Sequence, residues 1–485
     1  MRTIIYACVT LAVLLLLAGG CSARTRRPEI PVRLPQTFSA EGAAVVDAKW
    51  WRALGDSELN GLIEEALSGN FNLAVAWDRL AQAQAVARRT NASSWPEADL
   101  TAAASKSRLH NSAGVTETPL HSVGVAASYE VDLWSELAST RRAAWRDVEA
   151  QEEAVDAAAV TISASVAGVW YQLAEAKSLA EIAGRQTAVN EKVLDIVTVQ
   201  FRNNMAAAAD VLRQRQLVAS TEAQLISAQE TIEVLQYELS VLLGRAPQLS
   251  WQETAIKLAE IGPLPVLGVP ADVLWRRPDV RQGYRQLQAA DERLAAAIAD
   301  QYPQLSISAG VSTSSGASAR DLFDDWLTSL AANAVMPIFD GRQRKAEVQR
   351  NRAVVAERLD SWSQTVLEAI QEIETVLTQQ RHQELLLDNI RRRLDLAQKT
   401  YEQNHERLAK RQVDYIRVLE SLTSLQELER DEATVRRRLI QLRIDLHRAI
   451  AGSCEPPRRK PTGAEQGDDS AEKAQNNRTD KQEQQ

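Results

Sequence analysis

The sequence predicts a mainly α-helical chain that also carries membrane-type β-structure: a β-hairpin followed by a long helical hairpin, built twice. Three observations carry that reading. Between Tyr302 and Arg342, Leu305, Ile307, Ala309 and Val311 alternate with Gln304, Ser306, Ser308, Gly310 and Ser312. A period of two sorts apolar and small polar side chains onto opposite faces of a strand. Beyond Gly341 no proline or glycine interrupts the chain as far as Arg411, and apolar residues recur at heptad-like spacing. The same features occur earlier at a nearly fixed offset. Trp95-Pro96 answers Tyr302-Pro303 (302 − 95 = 207), and Asp210-Val211-Leu212-Arg213 answers Arg417-Val418-Leu419-Glu420 (417 − 210 = 207). A repeat at fixed spacing argues for internal duplication.

In chain order, residues 1–20 read as a targeting segment and stand outside the fold. Arg2 gives a positive start, Ile4 to Leu17 an apolar stretch, and Ala18-Gly19-Gly20 small residues ending at Cys21. This resembles a bacterial lipoprotein signal with Cys21 as the lipid attachment residue; an ordinary secretory signal cut elsewhere is the alternative. Ser22, rather than an aspartate, follows the cysteine and resembles an outer-membrane address. Residues 21–40 are then a lipid-anchored linker.

The first repeat occupies 41–245. Trp50-Trp51 opens it, and Leu59, Leu62, Ile63, Leu67, Leu73, Leu80 and Val86 mark one or two helices reaching Arg89. Membrane strands are expected at about 99–108 and 121–133, joined by a loop, and a tilted membrane strand needs only about 9–11 residues. In the second strand Val123, Val125, Ala127, Tyr129, Val131 and Leu133 form the apolar row. A helix from about Ser135 to Gln200 follows, a rod of roughly 100 Å at 1.5 Å per residue. A turn near Asn203-Asn204 leads to a shorter helix from Ala208, ended by Gly244.

Residues 246–452 hold a proline-bearing linker and the second repeat. Pro278 sits where a first-turn proline is favoured and opens a helix to about Ala299. Strands are expected at about 303–313 and 328–338. The long helix, from about Gln343 to Arg407, shows a coiled-coil seam of Val355, Leu359, Trp362, Val366, Ile370, Ile373 and Leu377. Its return helix runs roughly from Val413 to Ala451. Residues 453–485 form a polar tail, predicted disordered: seven acids and six bases between Glu455 and Gln485 leave nothing to build a core.

Composition narrows the functional class. A net charge of −8 gives no reason to expect a nucleic-acid partner. After residue 18 no uninterrupted apolar run approaches the roughly 18–20 residues of a membrane helix, so any crossing falls to strands. With Cys8 lost in the signal and Cys21 lipidated, Cys454 is the one remaining thiol. That leaves neither a disulfide nor a cysteine zinc site. The histidines His110, His121, His382, His405 and His447 have no ligand spacing, and no nucleophile-elbow, Walker or dinucleotide motif occurs. The expectation is a non-enzyme with no cofactor or metal.

Taken together these residues resemble the TolC/NodT-type outer-membrane factors of tripartite efflux and secretion systems. Three segments sharpen the likeness, which spans about residues 40–452. They are Trp50-Trp51 with Asp56, Leu59, Leu62 and Asn70; Pro270 to Leu274 with Arg276-Arg277-Pro278-Asp279-Val280; and Val413-Asp414-Tyr415-Ile416-Arg417-Val418-Leu419. The resemblance implies a homotrimer, because four strands per chain cannot close a barrel that needs at least about eight. Three chains would supply a 12-strand β-barrel above an α-helical barrel that tunnels through the periplasm. The implied function is the outer-membrane exit duct of a tripartite efflux pump, working with a periplasmic adaptor (membrane fusion) protein and an inner-membrane transporter. A type I protein-secretion duct and a non-channel periplasmic coiled-coil scaffold or adaptor are the alternatives.

The resemblance further implies that polar strand faces meet water and apolar ones lipid, with Trp95, Tyr129, Trp134, Tyr302 and Trp326 near the membrane edges. It places a periplasmic gate at the helix tips. The matching residues are Asp414, with Arg417 and Glu420 on the same helix and Asp210 from the first repeat. The glycine usual at each tip is Asn204 in one repeat and Arg411 in the other, which adds Arg411 to the gate set. An Asp414–Arg417 pair at i, i+3 would lock the tip; alternatively Asp414 merely stabilises a helix start.

Overall fold

The computed structural model describes residues 35–40, 42, 48–112, 114–251, 256–267, 270–315, 323, 325–410, 412–450, 452, 454, 456 and 457. The signal segment, Cys21, Arg411 and residues 458–485 lie outside this set. A 3₁₀ turn at Trp50–Leu54 precedes α1 (Ser57–Gly69), α2 (Phe71–Ala92), β1 (Glu97–Asn111) and β2 (Gly114–Val131). Then come α3 (Glu136–Arg202), α4 (Ala208–Leu242), α5 (Pro270–Arg276) and α6 (Pro278–Ala299). The chain continues with β3 (Gln304–Ser315), β4 (Trp326–Val335), α7 (Gln343–Ala409) and α8 (Tyr415–Ile450).

The duplication is visible in the elements themselves. α2 and α6 each have 22 residues, α3 and α7 each 67, and α4 and α8 have 35 and 36. Their starts differ by one number: 278 − 71, 343 − 136 and 415 − 208 all equal 207. The backbone entering each long helix keeps the same kink, with Ser135 at φ 64° and Arg342 at φ 71°. Carboxylates then cap the freed amides. Asp132 accepts from the N–H groups of Leu137 and Ala138, and Asp340 from those of Arg342 and Arg344.

The four strands form one antiparallel sheet in the order β1-β2-β3-β4. Two strand expectations shift. Pairing of β1 with β2 continues out to Asn111 opposite Gly114, so most of the expected loop at 110–120 is strand. Here the apolar/polar alternation lapses, with Glu117, Pro119 and His121 on the face of Val123 and Leu120 on the face of Ser122, although the strand continues through Pro119. At the other end β4 stops at Val335 rather than 338, because Pro337 has no N–H to donate to the ladder. Ile338 and Phe339 then stand 96% and 92% exposed.

By packing, the chain divides into two units. The first comprises Arg79–Glu152 and Val280–Val366 and contains the sheet. There Trp362 donates to the Val280 carbonyl at 3.1 Å and packs at a 45° tilt against Tyr284. Trp134, at the exit from β2, donates to the Pro303 carbonyl at 2.7 Å and stacks on Tyr302 at 4.9 Å, tying the two repeats together where strands meet helices.

The second unit, Leu34–Asp78 with Glu153–Asp279 and Leu367–Gln485, is helical through most of its described residues. Its core includes Trp50, Trp51, Leu59, Trp170, Leu239, Ile373, Leu442 and Leu446. Asp56 caps α1 through the N–H groups of Glu58 and Leu59 and also accepts from the Trp170 indole at 2.8 Å. Asn70 likewise caps α2 and donates to the Leu242 carbonyl. Gly244 ends α4 at φ 75°, with its missing side chain leaving room for the Gly69 carbonyl. One stretch of α3 is apolar enough on average for a membrane helix, although its uninterrupted apolar runs are short, and 67% of it is buried within the chain. It is a core helix of the bundle. Cys454 is a free, buried thiol, its pKa pushed up to about 12 by desolvation.

His447 is buried against Trp50, with ring centroids 5.5 Å apart. Burial, and then the charge of Arg443, hold its pKa down to about 4 from an ordinary 6.5. An unfolded chain therefore takes up this proton first as pH falls. Stability contributed by the neutral ring is complete above about pH 6.5 and is lost between about 6.5 and 4, by about 3 kcal/mol at most. His447→Phe, which keeps the stack and removes the titration, flattens the pH dependence of thermal unfolding across that window.

Candidate membrane face and tip aperture

Two places in the fold carry the functional candidates, one in each unit. The first is the sheet. Its register puts Leu100, Val125, Val311 and Thr328 side by side, and likewise Ala127, Ala309 and Leu330. The neighbouring rows bring together Thr101, Gly124, Ser312 and Leu327, then Ala126, Gly310 and Ser329. One face is thus an apolar band of Leu, Val, Ile and Ala, and the other is dominated by Ser, Thr, Gly and Ala. Leu100, Val125, Ile307, Val311 and Leu330 are exposed on the apolar face, whereas Thr313 and Ser315 at its far end are buried. The polar face has Gly124 pressed against Ser312, where an added side chain would collide. Tyr129 and Trp326 lie on the apolar face near its two ends; Trp134 and Tyr302 instead pack at the strand–helix junction.

The second place is the pair of helical tips. Asn204, at φ 53°, turns the chain from α3 to α4, and an asparagine tolerates that left-handed backbone. Asp210 then caps α4, accepting from the Ala207 N–H at 3.1 Å, with Arg213 at 3.8 Å. At the second tip the Gln412 N–H reaches the Arg407 carbonyl, closing the turn after α7. Asp414 is exposed, and its carbonyl, not its carboxylate, accepts from the Arg417 N–H at 3.1 Å. Arg417 and Glu420 are exposed on α8. Among the described residues no ion pair joins Asp414 to Arg417, so the expected i, i+3 pair is not formed within one chain. Arg411 lies outside the described residues.

What joins the two tips is a residue between those expected ones. The Tyr415 ring is buried in a cluster with Val197 and Val211 of the first repeat, and Leu194, Ala206, Leu408 and Leu419 pack around it. Its hydroxyl donates to Gln214 Oε1. Burial raises the phenol's pKa well above its ordinary value, and the nearby charge of Asp210 raises it further, so the hydroxyl stays protonated and a donor. Behind it runs a buried amide network. Gln214 donates to the Asn190 carbonyl at 2.8 Å, Gln426 donates to Asn190 Oδ1 at 3.1 Å, and Gln186 donates to the Gln426 carbonyl at 3.0 Å. Arg430 donates to Gln186 Oε1 at 2.6 Å. These side chains cross-link α3, α4 and α8, and a buried polar network of this kind fixes one register because each unmade bond is costly. Reading charges alone missed it; amides at helical spacing within an apolar seam, as in Gln186 and Asn190, were the available signal.

Comparison with known proteins agrees with this geometry. The family model described as outer membrane efflux protein matches residues 62–245 and 269–452, again 207 apart. The pyoverdine export outer membrane protein OpmQ of Pseudomonas aeruginosa is 29% identical over 475 residues, covering 91% of this chain and 96% of its own length. Nodulation protein T of Rhizobium leguminosarum bv. viciae is 26% identical, covering 92% and 94%. Among solved structures, the outer-membrane channel OprN superposes with a TM-score of 0.81 at 22% identity, over 89% of this chain and 100% of that one.

Proposed function

Since the chain belongs to the outer membrane efflux protein family, we propose that it is the outer-membrane channel of a tripartite efflux pump, a passive exit duct for small molecules. The observation that carries this is the sheet: four antiparallel strands with one apolar and one small-polar face, and two free edges. A transmembrane barrel needs at least about eight strands, and three copies supply twelve. The apolar faces then meet lipid and the polar faces line the pore. A coiled-coil scaffold has no use for such a sheet. The helices, roughly 100 Å long at 67 residues, suit a tunnel through the periplasm towards an adaptor and an inner-membrane transporter. Pyoverdine export, after which the relative OpmQ is named, favours efflux over protein secretion as the reading for this chain. In this reading Cys21 carries the lipid anchor.

In this reading the exposed Asp414, Arg417 and Glu420 face other copies around the closed tip, Arg411 staying a candidate from the sequence alone, while Tyr415 and Gln214 hold each chain's two hairpins together. Exposed charge pairs contribute only about 0–1 kcal/mol each, but three-fold repetition multiplies the bias on a closed–open equilibrium. In planar bilayers the full chain gives discrete conductance steps, and Asp414→Ala with Arg417→Ala raises the conductance on the order of a few-fold. Conductance equal to wild type across a range of salt assigns Asp414 to the helix start and moves the constriction elsewhere.

A further inference from the structure

Resting on the reading of an outer-membrane channel, we propose that Lys106 and Arg108 form a lipid-side site for the phosphate-bearing headgroups of the outer leaflet. The register of the first hairpin places Leu100, Ala102, Ala104, Lys106 and Arg108 on one face of β1. Val125, Val123, His121, Pro119 and Glu117 stand beside them on β2. This is the apolar face. From Val131 to His121 it extends ten residues along β2, about 25 Å of membrane height at a 40° tilt. That is the height of a barrel's lipid-facing band, and its described residues carry no ionised group from Val131 to Val123. The cations begin where the band ends, two and four residues past Ala104, about 5 and 10 Å further out. Trp326, opposite Thr313 on the same face, marks that edge with an exposed indole. The helices lie at the other end of every strand, so this end faces away from the periplasm. Cargo would pass along the opposite, hydroxyl-rich face, which leaves lipid as the partner within reach.

The charge arrangement supports an anion rather than a closed pair. Glu117 receives both cations: its Oε2 is 2.6 Å from Lys106 Nζ, and its Oε1 accepts from Arg108 Nε at 2.7 Å and from Nη2. One carboxylate against two cations leaves a net positive charge. It also fixes the ammonium and guanidinium side by side, with N–H groups on each to spare. Both side chains stay 63% exposed despite the pairing. A phosphate supplies the missing negative charge, and its acyl chains would lie on the apolar band directly below.

The test uses full-length protein in mild detergent, titrated with monophosphoryl lipid A and read by native mass spectrometry. Lys106→Gln with Arg108→Gln weakens retention of that lipid about thirtyfold, from about 1 kcal/mol per cation near a charged surface. The distant Lys345→Gln leaves retention unchanged. Glu117→Gln, which frees both cations without removing either, tightens it. Equal retention by wild type and the double variant overturns the site, as does weaker retention after Glu117→Gln. Displacement by equimolar inorganic phosphate overturns the lipid as its source. Should the double variant fail to assemble, Glu117→Gln decides alone. Conductance with undifferentiated lipid retention refutes this site and spares the channel; lipid retention without any conductance refutes the channel.

Discussion

Arg277→Leu lowers the stability of the helical unit by about 3–5 kcal/mol, the cost of breaking a buried pair and leaving its partners uncompensated. The guanidinium lies at the junction of α5 and α6 and spends nearly all its donors inside the fold. It donates to Asp279 through Nε at 3.1 Å and Nη2 at 2.7 Å, to Glu372 of α7 at 2.8 Å, and to the Ala449 carbonyl of α8 at 3.0 Å. One side chain therefore satisfies the end of the return helix and anchors it to the long helix. Leucine fills the volume but abandons the Ala449 carbonyl and half the partners of Glu372, which keeps only Arg448 at 2.7 Å. Arg277→Lys recovers little, since a single ammonium cannot serve three elements at once. Thermal unfolding followed by circular dichroism falls by roughly 10 °C for the leucine variant. A shift of a degree or two would show the network to be dispensable.

A charge on the two faces of β4 separates lipid from pore. Leu330 is 79% exposed on the apolar face, level with Ala309 and Ala127 near the middle of the band. Ser329 is its neighbour on the other face, level with Gly310 and Ala126. In water both are surface positions and arginine is tolerated equally. Facing lipid near the midplane, arginine costs about 2–4 kcal/mol per copy, and a trimer carries that cost three times. Leu330→Arg thus abolishes assembled protein in outer-membrane extracts. Ser329→Arg leaves assembly intact and lowers single-channel conductance to cations. If the two variants assemble equally, the apolar face does not meet lipid.

Most of the architecture was legible because duplication and periodicity act locally. The 207-residue offset relates the starts of α6, α7 and α8 to those of α2, α3 and α4, and the long helices from 136 and 343 follow from heptad spacing without proline. Hairpin lengths were less legible. Residues 110–120 include a proline and scattered polar side chains, and only pairing with β1 makes strand of most of them. The residues that resemble a known family, Trp50, Trp51, Asp56, Asn70 and Arg277, proved to be caps and core rather than a site. At the tips the sequence displays charges, which stand in solvent within one chain. The partners that join the hairpins, Tyr415 and Gln214, lie 201 residues apart and become neighbours only in the fold.

In the proposed channel, four strands per chain close a pore only with two further copies. The mass of the particle extracted from outer membranes in mild detergent tests it most directly. Three copies are expected, held together until heated and separating into single chains above the transition. A stable, water-soluble single chain, or a particle whose strand total cannot close, contradicts it.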